Sequence, residues 1–171
     1  MATVIFKWNP GFSSYEMMRY LEDLCNAAEN NEFYYNWSVW DFDKIKKGDR
    51  FYWVKLGYGA KDIVGCGEIT SDPYKDDDWS GKNRPTYYVD FMPQILINPD
   101  ALPILDMRTL EAEIPDFEWG KGHSGLILTD EQAKHLDEIW KTFVEKNMDL
   151  FNERANNDHA MNDKFFIQKD E

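Results

Sequence analysis

Indole rings set among polar and small residues are the groups of this chain best suited to a specific chemistry. Between Asn36 and Tyr74 the sequence runs NWSVW, a basic turn KIKKGDR, then FYWVKLG and IVGCGEITSDPY. Such a stretch supplies aromatic faces for stacking, small residues that admit a flat ligand to the backbone, and cations to meet phosphates. Trp37, Trp40, Trp79 and Trp119 stand outside regular periodic runs and are the candidates for ligand contact. Trp53, in an alternating strand, and Trp140, on the apolar face of a helix, read as core. A base stacked on such a ring gains roughly 1–3 kcal/mol. Seven tryptophans and nine tyrosines exceed what one core needs, so some rings should line a surface or a pocket.

The other reactive residue types offer less. His123 falls in a glycine-rich loop, His135 on a helix and His159 near the C-terminus, and no spacing pairs any of them with a nucleophile. Cys66 lies in an apolar strand with no adjacent cation or helix start to lower its pKa, so it reads as a small hydrophobe. Ser124, in Gly122-His123-Ser124-Gly125, misses the spacing of a hydrolase elbow. Asp76, Asp77 and Asp78 are consecutive, so their side chains diverge, and a solvated loop is the better reading than a metal site. The residues therefore predict recognition without catalysis, metal or cofactor.

Cys25 and Cys66 lack metal or redox spacing, and MATVIFKWNP lacks a secretory signal, which predicts a reducing, cytoplasmic setting. No apolar run approaches the roughly 20 residues of a membrane span. The net charge of −13 argues against a protein that coats nucleic acid indiscriminately, because affinity for phosphate grows with the cations placed on it. Locally the sign inverts. Lys44, Lys46, Lys47, Arg50, Lys55 and Lys61 face only Asp49 between residues 44 and 61. Lys44, Lys46, Lys47 and Arg50 are the candidate contacts to a nucleic-acid backbone, steering one anionic strand onto an acidic body.

These residues need elements to hold them. TVIFKW (3–8) reads as a strand ended by Asn9-Pro10-Gly11, after which Ser13 and Glu16 form a capping box. Met17, Met18, Leu21, Leu24, Cys25 and Ala28 then recur at helical spacing and should bury one helix face. Strands are expected at 50–56, 62–70 and 86–97, with Gly65 and Gly67 marking a bulge or a close backbone approach. Asp106 caps a short helix, SGLIL (124–128) makes another strand, and Thr129 with Gln132 boxes the start of a helix carrying Leu136 and Trp140. From about Asn147 the chain turns polar, with Phe165-Phe166-Ile167 isolated. The expected organisation is one domain over residues 1–147 and a polar tail or helix extension over 148–171. The expected fold class is α+β, a small bent or closed β-barrel of about five to six strands flanked by helices.

The succession Trp8-Asn9-Pro10, NWSVW, KKGDRFYWVKLG, IVGCGEITSDPY, YYVDF, ILINPDALPIL and WGKGHSG resembles the EVE-type domain of the PUA-like superfamily. The version found at the N-terminus of some bacterial HNH restriction endonucleases is the nearest in pattern, over residues 4–145. The resemblance implies a PUA-like barrel that binds nucleic acid and, as in the related YTH readers, inserts a modified base into an aromatic cage. By position, Trp37 matches the tryptophan that opens the cage, Ser38 its polar neighbour and Trp79 a second wall. Ser124 matches the serine of an SG step at the pocket mouth, and Trp119 the tryptophan before it. The pattern departs from those endonucleases in that no HNH segment follows, so cleavage is not expected of this polypeptide.

The acidity disfavours duplex DNA, since flipping a base costs a few kcal/mol that phosphate contacts would have to offset. Single-stranded or base-flipped nucleic acid, or a modified nucleotide, is the implied partner. A different class of function stays open: an interaction or regulatory protein with a vestigial pocket, engaging a protein partner through its acidic face or tail. A basic rim around the Trp37 pocket favours the first, an entirely acidic rim the second.

Overall fold

Every residue of the strand Thr3–Trp8 (β1) is buried, the mark of a strand covered on both faces. Its side chains alternate between two cores: Val4, Phe6 and Trp8 enter one, Ile5 the other. The computed structural model describes residues 1–57, 59, 61–102, 105–147 and 165–168.

Along the chain follow α1 (Met17–Asn30), β2 (Tyr35–Val39), a 3-10 turn (Phe42–Lys44), β3 (Arg50–Lys55), β4 (Asp62–Ile69), β5 (Tyr74–Asp76) and β6 (Thr86–Ile97). Then come β7 (Leu105–Asp106), α2 (Met107–Glu113), β8 (Leu126–Ile127), α3 (Asp130–Lys146) and β9 (Phe165–Ile167). The fold is α+β, a mixed sheet curled into a half-barrel with three helices among the described residues. Its main path runs β2-β6-β4-β3-β1-β8, with β5 and β9 on β6 and β7 on β4. Only β1 and β3 pair in parallel among these ladders.

Curvature comes from two irregularities, at Trp53/Val54 and at Cys66/Gly67, since a bulge bends its strand and raises the twist. Gly65 and Gly67 fit as the sequence suggests: a Cβ would stand 2.6 Å from the Ile95 carbonyl oxygen at the first and 2.2 Å from that of Met92 at the second. The curl brings the two ends of the sheet together. Beyond β2, the Trp40 N–H donates to the Ser124 carbonyl at 3.0 Å and the Asp41 N–H to that of Gly125 at 3.1 Å. The Asp41 carboxylate then accepts from the Ile127 N–H at 3.0 Å.

Aromatic rings dominate the concave core: Phe6, Phe51, Trp53 and Phe91 meet beneath α1, which adds Tyr20, Leu24 and Ala27. The other core joins Tyr52, Val54 and Ile63 to α2 and α3 through Leu110, Leu136 and Trp140. No described helix is long and apolar enough to cross a membrane.

Several expectations need correction. The Ser13/Glu16 capping box does not form. Ser13 instead accepts a bond from the Tyr15 N–H at 3.0 Å within the turn after Pro10, and Glu16 sits at the helix start without a side-chain cap. The buried face of α1 is centred on Tyr20 and Leu24, leaving Met18 73% exposed. NWSV lies in a strand, with Trp37 and Val39 inward and Ser38 on the alternate face. SGLIL contributes only Leu126 and Ile127 as strand. Phe165–Ile167 is not isolated, since β9 pairs with β6 and sends Phe166 into one core and Phe165 into the other. The Thr129–Gln132 box and the Asp106 cap form as read.

Candidate ring-binding cavity

Where the end of β1, the strand β2 and the loops before β6 and β8 converge, they enclose a cavity of about 800 Å³. Trp37 forms part of its wall. Strand alternation turns this indole inward, where it packs edge-on against Trp53 at 5.1 Å and Tyr15 at 5.9 Å. It is 8% exposed, so the ring belongs to the core and borders the cavity at once. Its Nε1–H donates to the Ser124 hydroxyl oxygen at 3.0 Å, and the backbone N–H of Lys7 donates to the same oxygen at 2.8 Å.

The mouth is aromatic. Trp40, 54% exposed, stacks on His123 with ring centroids 3.6 Å apart and planes 4° from parallel. Phe42 stacks on Tyr87 at 3.8 Å and 10°. Trp79, 46% exposed, also lines the cavity, as do Phe12 and Ser38. The Trp79 loop is tied down from both sides: the Tyr88 hydroxyl accepts from the Trp79 N–H at 2.9 Å and donates to the Asp77 carbonyl at 2.6 Å.

Charge at the mouth is nearly balanced. The carboxylate of Asp78 is held below the usual range first by the Ser80 N–H, then by the Ser80 hydroxyl and the Arg84 guanidinium, whose Nε lies 3.1 Å away. Lys7 is the unexpected cation. Buried within an apolar strand, its ammonium donates to the carbonyls of Glu118 at 2.6 Å and Lys121 at 2.5 Å and lies 5.1 Å over the Phe117 ring. Burial pulls its pKa down, opposed by the Glu118 carboxylate. The rim is thus neither basic nor entirely acidic.

Of the ligand-contact candidates, Trp37, Ser38, Trp40, Trp79 and Ser124 all border this one cavity. Trp119 lies elsewhere. It is 1% exposed in the second core, where its Nε1–H donates to the Ile114 carbonyl at 3.0 Å. The basic run also disperses. Lys44, Lys46 and Lys47 are exposed on the turn after Phe42, whereas Arg50 lies 3.7 Å from the Asp137 carboxylate on α3 and over the Tyr52 ring. None of the four lines the cavity. Lys7, Arg84 and the two stacked pairs escaped the sequence reading, although a lone lysine inside the apolar run TVIFKW was a visible signal. Burial raises the Cys66 thiol to about 11, so it stays a packed thiol, and among the described residues no group of three His, Cys, Asp or Glu could hold a metal ion.

No family model and no curated protein matches this chain. Solved structures do. The protein PSPTO5229 of Pseudomonas syringae superposes with a TM-score of 0.56 at 17% identity, over 81% of this chain and 99% of that one. A hypothetical protein from Leishmania major gives 0.52 at 12% identity, over 81% and 94%. The YTH domain of Mmi1 in complex with RNA gives 0.48 at 10% identity, over 85% and 81%. What this chain shares with the first two is the fold, the curled mixed sheet with its helices.

Proposed function

We propose that this protein is a non-catalytic, PUA-like binding domain of the EVE type that stacks one nucleobase of single-stranded or locally unpaired nucleic acid against Trp37. The observation that carries the reading is the concentration of exposed rings. Of seven large hydrophobic side chains left exposed among the described residues, Phe12, Trp40, Phe42 and Trp79 all border the one cavity. Clustered exposed apolar surface marks an interaction site, and flat faces suit bases because every base has a π-face. The cavity cations Lys7 and Arg84 are already bonded within the protein, so stacking rather than charge supplies most of the affinity. Lys44, Lys46 and Lys47 add phosphate contacts for a strand that leaves over Phe42. Arg50, engaged with Asp137, does not.

The test is a titration of fluorescently labelled single-stranded and duplex oligonucleotides, with and without base modifications. Trp37→Ala should weaken single-strand binding by about five- to over a hundred-fold, the equivalent of roughly 1–3 kcal/mol of stacking. It should also erase any preference for a modified base. Circular dichroism checks that the variant folds, and Trp40→Ala, which removes an exposed ring, should weaken binding without that risk. Full affinity and discrimination in both variants would refute the base-stacking reading and favour a protein partner.

A further inference from the structure

A serine hydroxyl has two acceptor positions and one hydrogen to donate. In Ser124 both acceptor positions are filled by protein, one by the Lys7 backbone N–H at 2.8 Å and one by the Trp37 indole N–H at 3.0 Å. No described residue accepts the hydroxyl hydrogen. Because Ser124 borders the cavity beside Trp37, that hydrogen is a donor whose role is dictated by its surroundings. The Trp37 N–H is already given to Ser124.

From this we infer that Ser124 is a specificity-determining residue: it acts as an obligatory hydrogen-bond donor, so the ring stacked on Trp37 must turn an acceptor, a bare ring nitrogen or a carbonyl oxygen, toward it. A ligand edge bearing only N–H or C–H at that point is rejected. An N–H would face a hydrogen, and both groups would lose their bonds to water with nothing in return. The donor is also held rigidly. Lys7 fixes the serine through its backbone and, through its ammonium, the loop carbonyls of Glu118 and Lys121, six and three residues upstream. This inference rests on the base-stacking reading and adds which edge of the base is read.

The experiment uses single-stranded uridine pentanucleotides with each of the four bases in turn at the centre. The tightest is then remade with each acceptor of its central base removed in turn, a ring nitrogen replaced by C–H or a carbonyl deleted. In the wild-type protein one such removal should cost roughly two- to tenfold in affinity and the others little. In Ser124→Ala the same ligand pair should bind with a ratio near about one, the signature of a coupled pair in a double-mutant cycle. Ser124→Cys, which keeps a weaker donor, should fall between and covers the case in which the alanine variant fails to fold.

Trp37→Phe gives an independent reading. It keeps a ring face but frees one acceptor position on Ser124, so the penalty for removing the ligand's acceptor should shrink. If the pentanucleotides bind, and bind less well to Trp37→Ala, yet every acceptor removal is neutral in wild type, the donor assignment is overturned and stacking stands. If no central base is preferred and Trp37→Ala changes nothing, the stacking reading itself falls, and the donor assignment with it.

Discussion

At the scale of single residues, the most unusual carboxyl lies away from the cavity. Asp62 begins β4, is largely buried, and accepts the Met107 N–H at 2.7 Å at the start of α2. Burial raises its pKa to about 6, aided by the Asp106 carboxylate and opposed by the Met107 bond and the Lys55 ammonium. The unfolded chain holds this proton only below about 4. A folded pKa above the unfolded one means a contribution to stability that is full below about pH 4 and lost as pH rises through about 6. Asp62→Asn keeps an acceptor for Met107 and abolishes the titration. Its stability relative to wild type, measured by urea unfolding, should be more favourable at pH 7.5 than at pH 4.5. An identical difference at both pH values would show that Asp62 does not titrate there.

At the scale of elements, Gly125 decides whether the curled sheet closes. Its φ is +83°, and a Cβ there would lie 2.3 Å from the Val39 Cα and 2.8 Å from the Trp40 nitrogen. Gly125→Ala should cost at least about 1–3 kcal/mol, from strain alone and before any clash. It should also weaken binding, since the same residues carry the Trp40 and Ser124 walls. Denaturant melts and a titration of the variant check both.

Elements with a strong local pattern were legible from sequence. The run TVIFKW and residues 86–97 became β1 and β6 with the bounds expected, and α3 starts at its predicted box. What failed was set by distant partners. Trp119 looks exposed beside Gly120 and Lys121 but is buried because α2 brings up the Ile114 carbonyl. Tyr35, Trp37 and Val39 alternate as strand residues, a pattern hidden by the exposed Trp40 that follows. The neighbours Lys47 and Arg50 point to different surroundings because a turn and a pleat separate them. Sequence proximity says little about a shared charged face. For the candidate site, residue types were readable where rings stood among polar neighbours, while Lys7 drew its role from the loop that folds over it.

For the whole molecule, a net charge of −13 and a cavity whose cations are already bonded set the salt response. If the Lys44–Lys47 turn makes about three phosphate contacts, the log–log salt slope on a single strand should be about −2. Reversing Lys46 and Lys47 to Glu should flatten it and weaken all sequences alike, because phosphate contacts carry no base information. Trp37→Ala should leave the slope unchanged while lowering affinity. A wild-type slope near −8 would reveal a basic surface far larger than the three lysines.

The meeting of the two sheet ends has one more consequence, for solubility. An open strand edge is a row of unpaired N–H and C=O groups that recruits other chains. Here Trp40 and Asp41 bond to the carbonyls of Ser124 and Gly125, so the junction beside the cavity also blunts an adhesive edge. A lesion at that junction should therefore appear as self-association as well as weak binding. Light scattering on Gly125→Ala should detect oligomers growing with protein concentration, at temperatures where the wild type stays monodisperse.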